Sequence, residues 1–127
     1  MSVTLLEEWV AKAEGDYKTA VILMRQRKEP QYDAVCYHCQ QSTEKYLKAY
    51  LIKQGVVPQR THDLRDLLRE CINHDTGLSV LWPDVRFLGP FSVQFRYPGD
   101  NATDIQAKDA LATLRRLRKI MRRKLGL

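Results

Sequence analysis

Apolar residues recur three and four positions apart along most of this chain, and no other feature constrains the fold as much. That spacing is the period of an α-helix with one buried face. The first such segment runs from about Val3 to Lys28, with apolar positions at Leu6, Trp9, Val10, Ala13, Tyr17, Ala20, Val21 and Met24. Pro30 is expected to end it, because the residue before a proline avoids helical backbone angles.

Three further helices are predicted from the same periodicity and from residues typical of helix ends. The second spans about Tyr32 to Gln54, and Gly55 supplies the left-handed residue that often follows a helix. Thr61 is suited to cap the third helix, and the last one spans about Thr103 to Lys124. The predicted fold is therefore all-α, an up-and-down bundle of four to five helices.

The segment between the third and last helices is less regular. Prolines and glycines interrupt residues 75–99, so we expect at most a short helical turn beginning at Pro83. Residues 93–97 alternate between apolar and polar, and a short strand is the alternative there. Neither reading changes the fold class.

Length and composition indicate one domain over residues 1–127. A chain of 127 residues holds one hydrophobic core. Its longest apolar run, residues 20–24, is far below the roughly 18 residues of a membrane span. The N-terminus lacks the basic start and apolar stretch of a secretory signal. We therefore expect a cytoplasmic protein with no membrane contact.

Cys36 and Cys39 have the Cys-x-x-Cys spacing known from metal and redox sites. They lie inside a predicted helix, however, and Cys71, His62 and His74 are too scattered to complete a site. We interpret the cysteines as reduced thiols of the core, and we predict no metal and no cofactor.

Residues 37–51 read YHCQQSTEKYLKAYL, residues 61–64 read THDL, and residues 96–98 read RYP. In this order and spacing they resemble the HEPN family, which has Gln-x-x-Glu-Lys-x-Leu-Lys-Ala in its second helix. The resemblance implies a helical bundle that forms a homodimer and acts with a minimal nucleotidyltransferase. It also implies a component of a toxin-antitoxin or related system that binds nucleotide, RNA or a partner protein.

One polar stripe on the second helix is the candidate for that binding. His38, Gln41, Lys45 and Lys48 are spaced three, four and three apart, so they share a face near the edge of the core. Such side chains can bind phosphate or a partner carboxylate. Equally, they can form a solvated face or bond within the bundle. Arg96 and Tyr97 add a bidentate donor and a stacking ring to the candidate site.

Catalysis is uncertain, and the sequence favours a non-catalytic role. HEPN proteins that cleave RNA carry Arg, four to six residues, and then His. Here Arg96 is followed at that spacing by Asn101, which cannot take up a proton near neutral pH. Arg69 and His74 have the literal spacing at the end of the third helix, and they are weak candidates for a metal-independent endoribonuclease. A dimeric structural adaptor without catalysis is a further alternative.

The basic charge of the chain is concentrated in its last helix. Net charge is +6, and seven basic residues lie between positions 115 and 124, so the rest of the chain sums to −1. The candidates for contact with nucleic acid are Arg115, Arg116, Lys119, Arg122 and Arg123. A solvated face with favourable charge at a helix C-terminus is the alternative.

The aromatic residues suggest an interface. Trp9, Trp82, Phe87, Phe91 and Phe95 exceed what a small bundle easily hides, and large exposed apolar patches usually mark contact surfaces. This observation favours the homodimer independently of the resemblance.

Overall fold

The computed structural model describes residues 2–127, and all its regular secondary structure is helical. The α-helices are α1 (Leu5–Arg25), α2 (Tyr32–Lys53), α3 (Leu64–His74), α4 (Trp82–Leu88) and α5 (Asp104–Lys124). Short 3-10 helices at Thr76–Leu81 and Gly89–Ser92 flank α4. The predicted all-α bundle is confirmed. Pro83 lies in the first turn of α4, but the segment is more helical than the single short turn expected, because α4 has seven residues and lies between two 3-10 helices.

Residues 93–97 do not form the alternative strand. The backbone N–H groups of Val93 and Gln94 donate to the Pro90 carbonyl at 3.1 and 3.0 Å, and Arg96 N–H donates to the Val93 carbonyl. These local bonds fold the segment into successive turns. Because they use the groups that a strand would offer to a neighbour, the alternation of side chains has no pairing partner.

Two helix ends differ from the sequence prediction for identifiable reasons. α1 ends at Arg25, since Gln26 has an extended backbone conformation, and the Gln26 side chain donates to the carbonyls of Lys28 and Glu29. α3 is capped by Asp63, whose carboxylate accepts from the Arg65 N–H at 2.9 Å. Thr61 lies two residues earlier, and its hydroxyl accepts from the Asp63 N–H.

Helix α2 is the centre of the bundle, with 13 of its 22 residues buried. α1 lies antiparallel to it, since Asp16 contacts His38 while Ala13 contacts Ser42 further along α2. α5 runs in the same direction as α2. Asp33 near the start of α2 contacts residue 102, and Lys53 at its end contacts residue 124.

The bundle hides more aromatic surface than the sequence suggested. Phe91 is only 5% exposed, and its ring contacts the rings of Phe87 and Phe95 at centroid distances of 5.2 and 5.6 Å. Trp9 and Trp82 are half-buried against the core. Phe87 is 36% exposed, so part of this aromatic surface faces solvent, and the interface stays a prediction.

The three cysteines are buried free thiols, which confirms their assignment to the core. Burial raises the pKa of Cys36 to about 12 and that of Cys71 to about 12, and it raises the pKa of Cys39 as well. Among residues 2–127, no three His, Cys, Asp or Glu side chains are grouped to hold a metal ion. None of the helices described is long and apolar enough to cross a membrane.

Candidate functional site

His38 and Lys45 of the polar stripe contact the same carboxylate on α1. Asp16 Oδ1 lies 2.8 Å from His38 Nδ1, and Asp16 Oδ2 accepts from Lys45 Nζ at 2.5 Å. A carboxylate can only accept, so the His38 nitrogen facing it carries the hydrogen. The charge of Lys45 is thereby balanced within the bundle. The stripe itself gave no indication of Asp16, which belongs to another helix.

Lys48 lies inside the protein and does not face an open groove. The residue is 7% exposed and its Nζ is 3.1 Å from Glu44 Oε2, while Glu44 is 3% exposed. Nζ also lies 5.5 Å from the centre of the Trp9 ring, which covers it. Lys48 and Glu44, four residues apart on α2, thus form a buried ion pair, and Lys48 is committed to neutralising Glu44.

Gln41 connects the stripe to the loop before α3. Its amide donates to Gln40 Oε1 at 2.7 Å, and Gln40 in turn donates to the backbone carbonyl of His62 at 3.2 Å. The ring of His62 is bonded as well, with Nδ1 at 3.0 and 3.2 Å from the two oxygens of Glu44. His62, which the sequence offered only as a scattered histidine, is therefore held through both its backbone and its side chain.

Arg96 lies apart from these residues, on a cleft that we call the aromatic cleft. Its volume is about 360 Å³, and it is lined by Asp33, Ala34, Tyr37, Phe91, Ser92, Val93, Phe95 and Arg96. The Arg96 side chain is exposed and makes no hydrogen bond or ion pair with residues 2–127. It is therefore the one cation of the predicted binding set that is free of an internal acidic partner in the described chain.

The walls of the aromatic cleft are fixed by α2 and by the turn before α5. Asp33 Oδ1 accepts from the backbone N–H of Ala102 at 2.6 Å, which ties that turn to the first turn of α2. Tyr37 is 40% exposed and packs edge-on against His38 at 5.4 Å. Tyr97 is 72% exposed and does not line the cleft.

Arg69 and His74 are not brought together. Both lie on α3, and five residues correspond to about 140° around a helix, so they occupy different faces. Arg69 instead pairs with Asp66 at 3.1 Å and lies 5.8 Å from the centre of the Trp82 ring. This geometry gives the pair no common position on a substrate.

The seven basic residues of α5 between positions 115 and 124 divide into two groups. Internal acidic partners hold four of them: Arg116 by Asp84, Arg118 and Arg122 by Glu14, and Lys124 by Asp75. The remaining three have no ion pair with residues 2–127 and are spaced four apart, so they share one face. We call this face the basic stripe, and it consists of Arg115, Lys119 and Arg123.

The basic stripe and the aromatic cleft share no residue, since none of Arg115, Lys119 and Arg123 lines the cleft.

Comparison with known proteins identifies the family of this chain. Residues 6–124 match the family model of the HEPN domain, and the chain belongs to this family. Two solved structures are similar. TT1696 from Thermus thermophilus has a TM-score of 0.82 and 21% identity over 96% of this chain and 99% of that one.

The second similar structure is ST0689, described as an archaeal HEPN homologue. Its TM-score is 0.73 at 21% identity, over 94% of this chain and 97% of that one. None of the curated proteins matches this chain. At this level of identity the two structures bear on the fold alone.

Proposed function

We propose that this HEPN protein binds a nucleotide unit of RNA in the aromatic cleft. The observation that carries the proposal is the position of Arg96, an exposed arginine without an internal partner in residues 2–127, beside the rings of Tyr37 and Phe95. A guanidinium is a bidentate donor for phosphate, and aromatic side chains stack on bases without regard to sequence.

The size and polarity of the cleft suit one nucleotide unit. Its volume of about 360 Å³ lies within the usual range for small-ligand sites. Tyr37 offers an exposed ring for stacking, and Arg96 offers charge for the adjoining phosphate. Lys45 and Lys48 do not line the cleft, and Asp16 and Glu44 already neutralise them.

Binding of short labelled RNA, measured by fluorescence anisotropy, tests this function. Tyr37→Ala and Arg96→Gln should each weaken binding by roughly tenfold or more, since one stacked base contributes about 1–3 kcal/mol. Tyr97→Ala is the matched control for Tyr37, because it removes an exposed tyrosine next to Arg96 that does not line the cleft. Equal losses in Tyr37→Ala and Tyr97→Ala would contradict the assignment.

We further infer that the protein acts as a homodimer with a minimal nucleotidyltransferase, as the RNA-binding half of a toxin-antitoxin pair. Family membership supports this part of the proposal. Light scattering at tens of micromolar protein, a concentration set by common affinities, should give the mass of a dimer. Co-expression with a nucleotidyltransferase encoded beside this gene should give a stable complex. A monomeric protein that does not bind that enzyme would contradict this part of the proposal. It would leave the proposal of RNA binding unaffected.

The two alternatives make different predictions. An endoribonuclease toxin would cleave RNA with chelator present, and loss of cleavage in His74→Ala would assign the activity to that residue. A dimeric adaptor would dimerise yet neither bind nor cleave RNA. Incubating the purified protein with RNA separates all three functions in one experiment.

A further inference from the structure

A second cavity, of about 530 Å³, lies between the beginning of α3 and the end of α4. Among the residues that line it are His62, Arg65, Arg86 and Ser92. Ser92 also lines the aromatic cleft, so the two spaces adjoin at the 3-10 helix of residues 89–92. We call this space the arginine cavity. Nothing in the function proposed above uses it.

The ring of His62 is held in an unusual way for a surface residue. Its side chain is 77% exposed, yet Nδ1 is bonded to the carboxylate of Glu44, a side chain that is itself 4% exposed. Gln40, fully buried, holds the backbone carbonyl of the same residue. Packing does not require an exposed residue to be held at both its ring and its backbone by buried polar groups, whose burial has a cost. The arrangement is that of an oriented histidine.

The bond to Glu44 also determines what the other ring nitrogen offers. Because a carboxylate only accepts, Nδ1 carries the hydrogen, and Nε2 has no bonding partner among residues 2–127. When the ring is neutral, Nε2 accepts a hydrogen bond. When the ring is protonated, Nε2 donates one. Both forms complement a phosphate monoester, which is partly monoanionic with a P–OH group near neutral pH.

The charge around the cavity favours an anion. Asp63 forms a bidentate pair with Arg65 at 3.2 and 3.0 Å, so these two side chains balance. Arg86 has no ion pair with residues 2–127, and its guanidinium lies 5.6 Å from the centre of the Trp82 ring. One aspartate and two arginines among the lining residues leave a net charge of +1, carried by Arg86.

We propose that the arginine cavity binds a phosphate monoester group, with the Arg86 guanidinium and the His62 ring as its ligands. Arginine supplies charge and two parallel donors for phosphate oxygens. The volume exceeds that of a phosphate group, so the organic part of the ester fits as well. The site is separate from the aromatic cleft, and each can fail without the other.

Titration with inorganic phosphate, followed by ³¹P NMR, tests the site directly. Arg86→Gln and His62→Gln should each weaken binding roughly tenfold or more, because each removes a charge-assisted or oriented hydrogen bond. Arg60→Gln is the matched control: it removes the same charge from an exposed arginine that does not line the cavity. Its affinity should stay within about twofold of the parent.

Two results would overturn the site: no binding by the parent protein at millimolar phosphate, or equal losses in Arg86→Gln and Arg60→Gln. Arg86 is exposed, so its variant stays folded and decides the matter even if His62→Gln does not fold. Tyr37→Ala should bind phosphate as the parent does, which separates this site from the aromatic cleft.

The source of the phosphate is distinguished by comparing adenosine monophosphate with a short RNA, with and without a 5′-phosphate. A gain in RNA affinity from the 5′-phosphate that disappears in Arg86→Gln assigns the site to RNA ends. Binding of the monophosphate that is lost in Arg86→Gln, with no such gain for RNA, assigns it to a free nucleotide. If Arg86→Gln changes neither ligand, the proposal is wrong.

Discussion

Arg118 of α5 donates two hydrogen bonds to the carboxylate of Glu14 in α1, at 3.2 and 2.7 Å. Arg122 adds a third at 2.9 Å, and the hydroxyl of Tyr46 in α2 donates to the same carboxylate. One side chain therefore joins three helices. α1 and α5 share a much smaller interface with each other than either shares with α2. Glu14 is thus the main polar link between the two outer helices.

Glu14→Gln should lower the free energy of unfolding by about 1–3 kcal/mol. Removing one partner of a partly buried ion pair leaves the other charges uncompensated, and partial exposure of Arg122 reduces that cost. Urea unfolding followed by circular dichroism measures the change. Glu8→Gln is the matched control, since Glu8 is exposed on the same helix. Equal stability of the two variants would show that the Glu14 cluster contributes little.

The contribution of Glu14 should also depend on pH. Desolvation acts to raise its pKa, but the hydrogen bonds from Arg118, Tyr46 and Arg122 outweigh it and hold the pKa below the ordinary 4.5. A carboxyl with a lowered folded-state pKa stabilises the fold above its unfolded pKa and loses that effect as pH falls through the folded value. The stability difference between parent and Glu14→Gln should therefore be constant near neutrality and shrink below pH 4.5. A difference that grows on acidification would contradict this.

The buried Glu44–Lys48 pair should behave differently from a surface pair of the same spacing. Lys48→Met leaves Glu44 buried with only His62 beside it, and should cost about 2–4 kcal/mol of unfolding free energy. Lys108 and Asp104 form an i,i+4 pair at 3.0 Å that is exposed, so Lys108→Met should leave the melting temperature unchanged. Equal effects of the two substitutions would mean that burial does not matter here.

Much of the fold could be predicted from the sequence, because the helical period of apolar residues is a local property. The ends of α2 and α5 fall within one residue of the prediction. The sequence of residues 93–97 was compatible with either turns or a strand, because its apolar and polar side chains alternate. Only the bonds to Pro90 decide between the two.

The candidate site was harder to predict, because spacing along one helix says which face a residue occupies and not what covers that face. Lys48 shares a stripe with Lys45, yet Trp9 of α1 covers it. Asp16 and Glu14 are partners of residues 22 to 108 positions away, and no local pattern marks such pairs. The family motif singled out Arg96 in the sequence. The sequence could not show that Arg96 lacks an acidic partner among residues 2–127.

Cysteine reactivity gives a direct check of the core. Burial raises the pKa of Cys36 and Cys71 to about 12, and it also raises the pKa of Cys39. Almost no thiolate therefore forms at about pH 8. In the folded protein, a thiol reagent should therefore label none of the three cysteines within minutes, and it should label all three at once in denaturant. Rapid labelling of the folded protein would place at least one cysteine outside the core.

Chelator should leave helicity and melting temperature unchanged.

The basic stripe gives the last prediction, that it contacts an RNA backbone. The inner residues of α5 stay packed on α2, while Arg115, Lys119 and Arg123 face outward without internal acidic partners in residues 2–127. Successive cations lie about 6 Å apart along the helix, and each phosphate they neutralise releases condensed counterion. RNA binding that uses the stripe should therefore weaken steeply as salt rises.

Charge reversal separates this contact from the overall charge of the protein. Lys119→Glu with Arg123→Glu should weaken binding to every RNA sequence, and it should reduce the slope of log affinity against log salt by about 1.4 if both residues contact single-stranded RNA. Arg25→Glu with Lys28→Glu changes the net charge equally, at two exposed positions near the end of α1, and should have much less effect. If both double variants weaken binding alike, only net charge matters. If neither does, the stripe is a solvated face or binds an acidic protein.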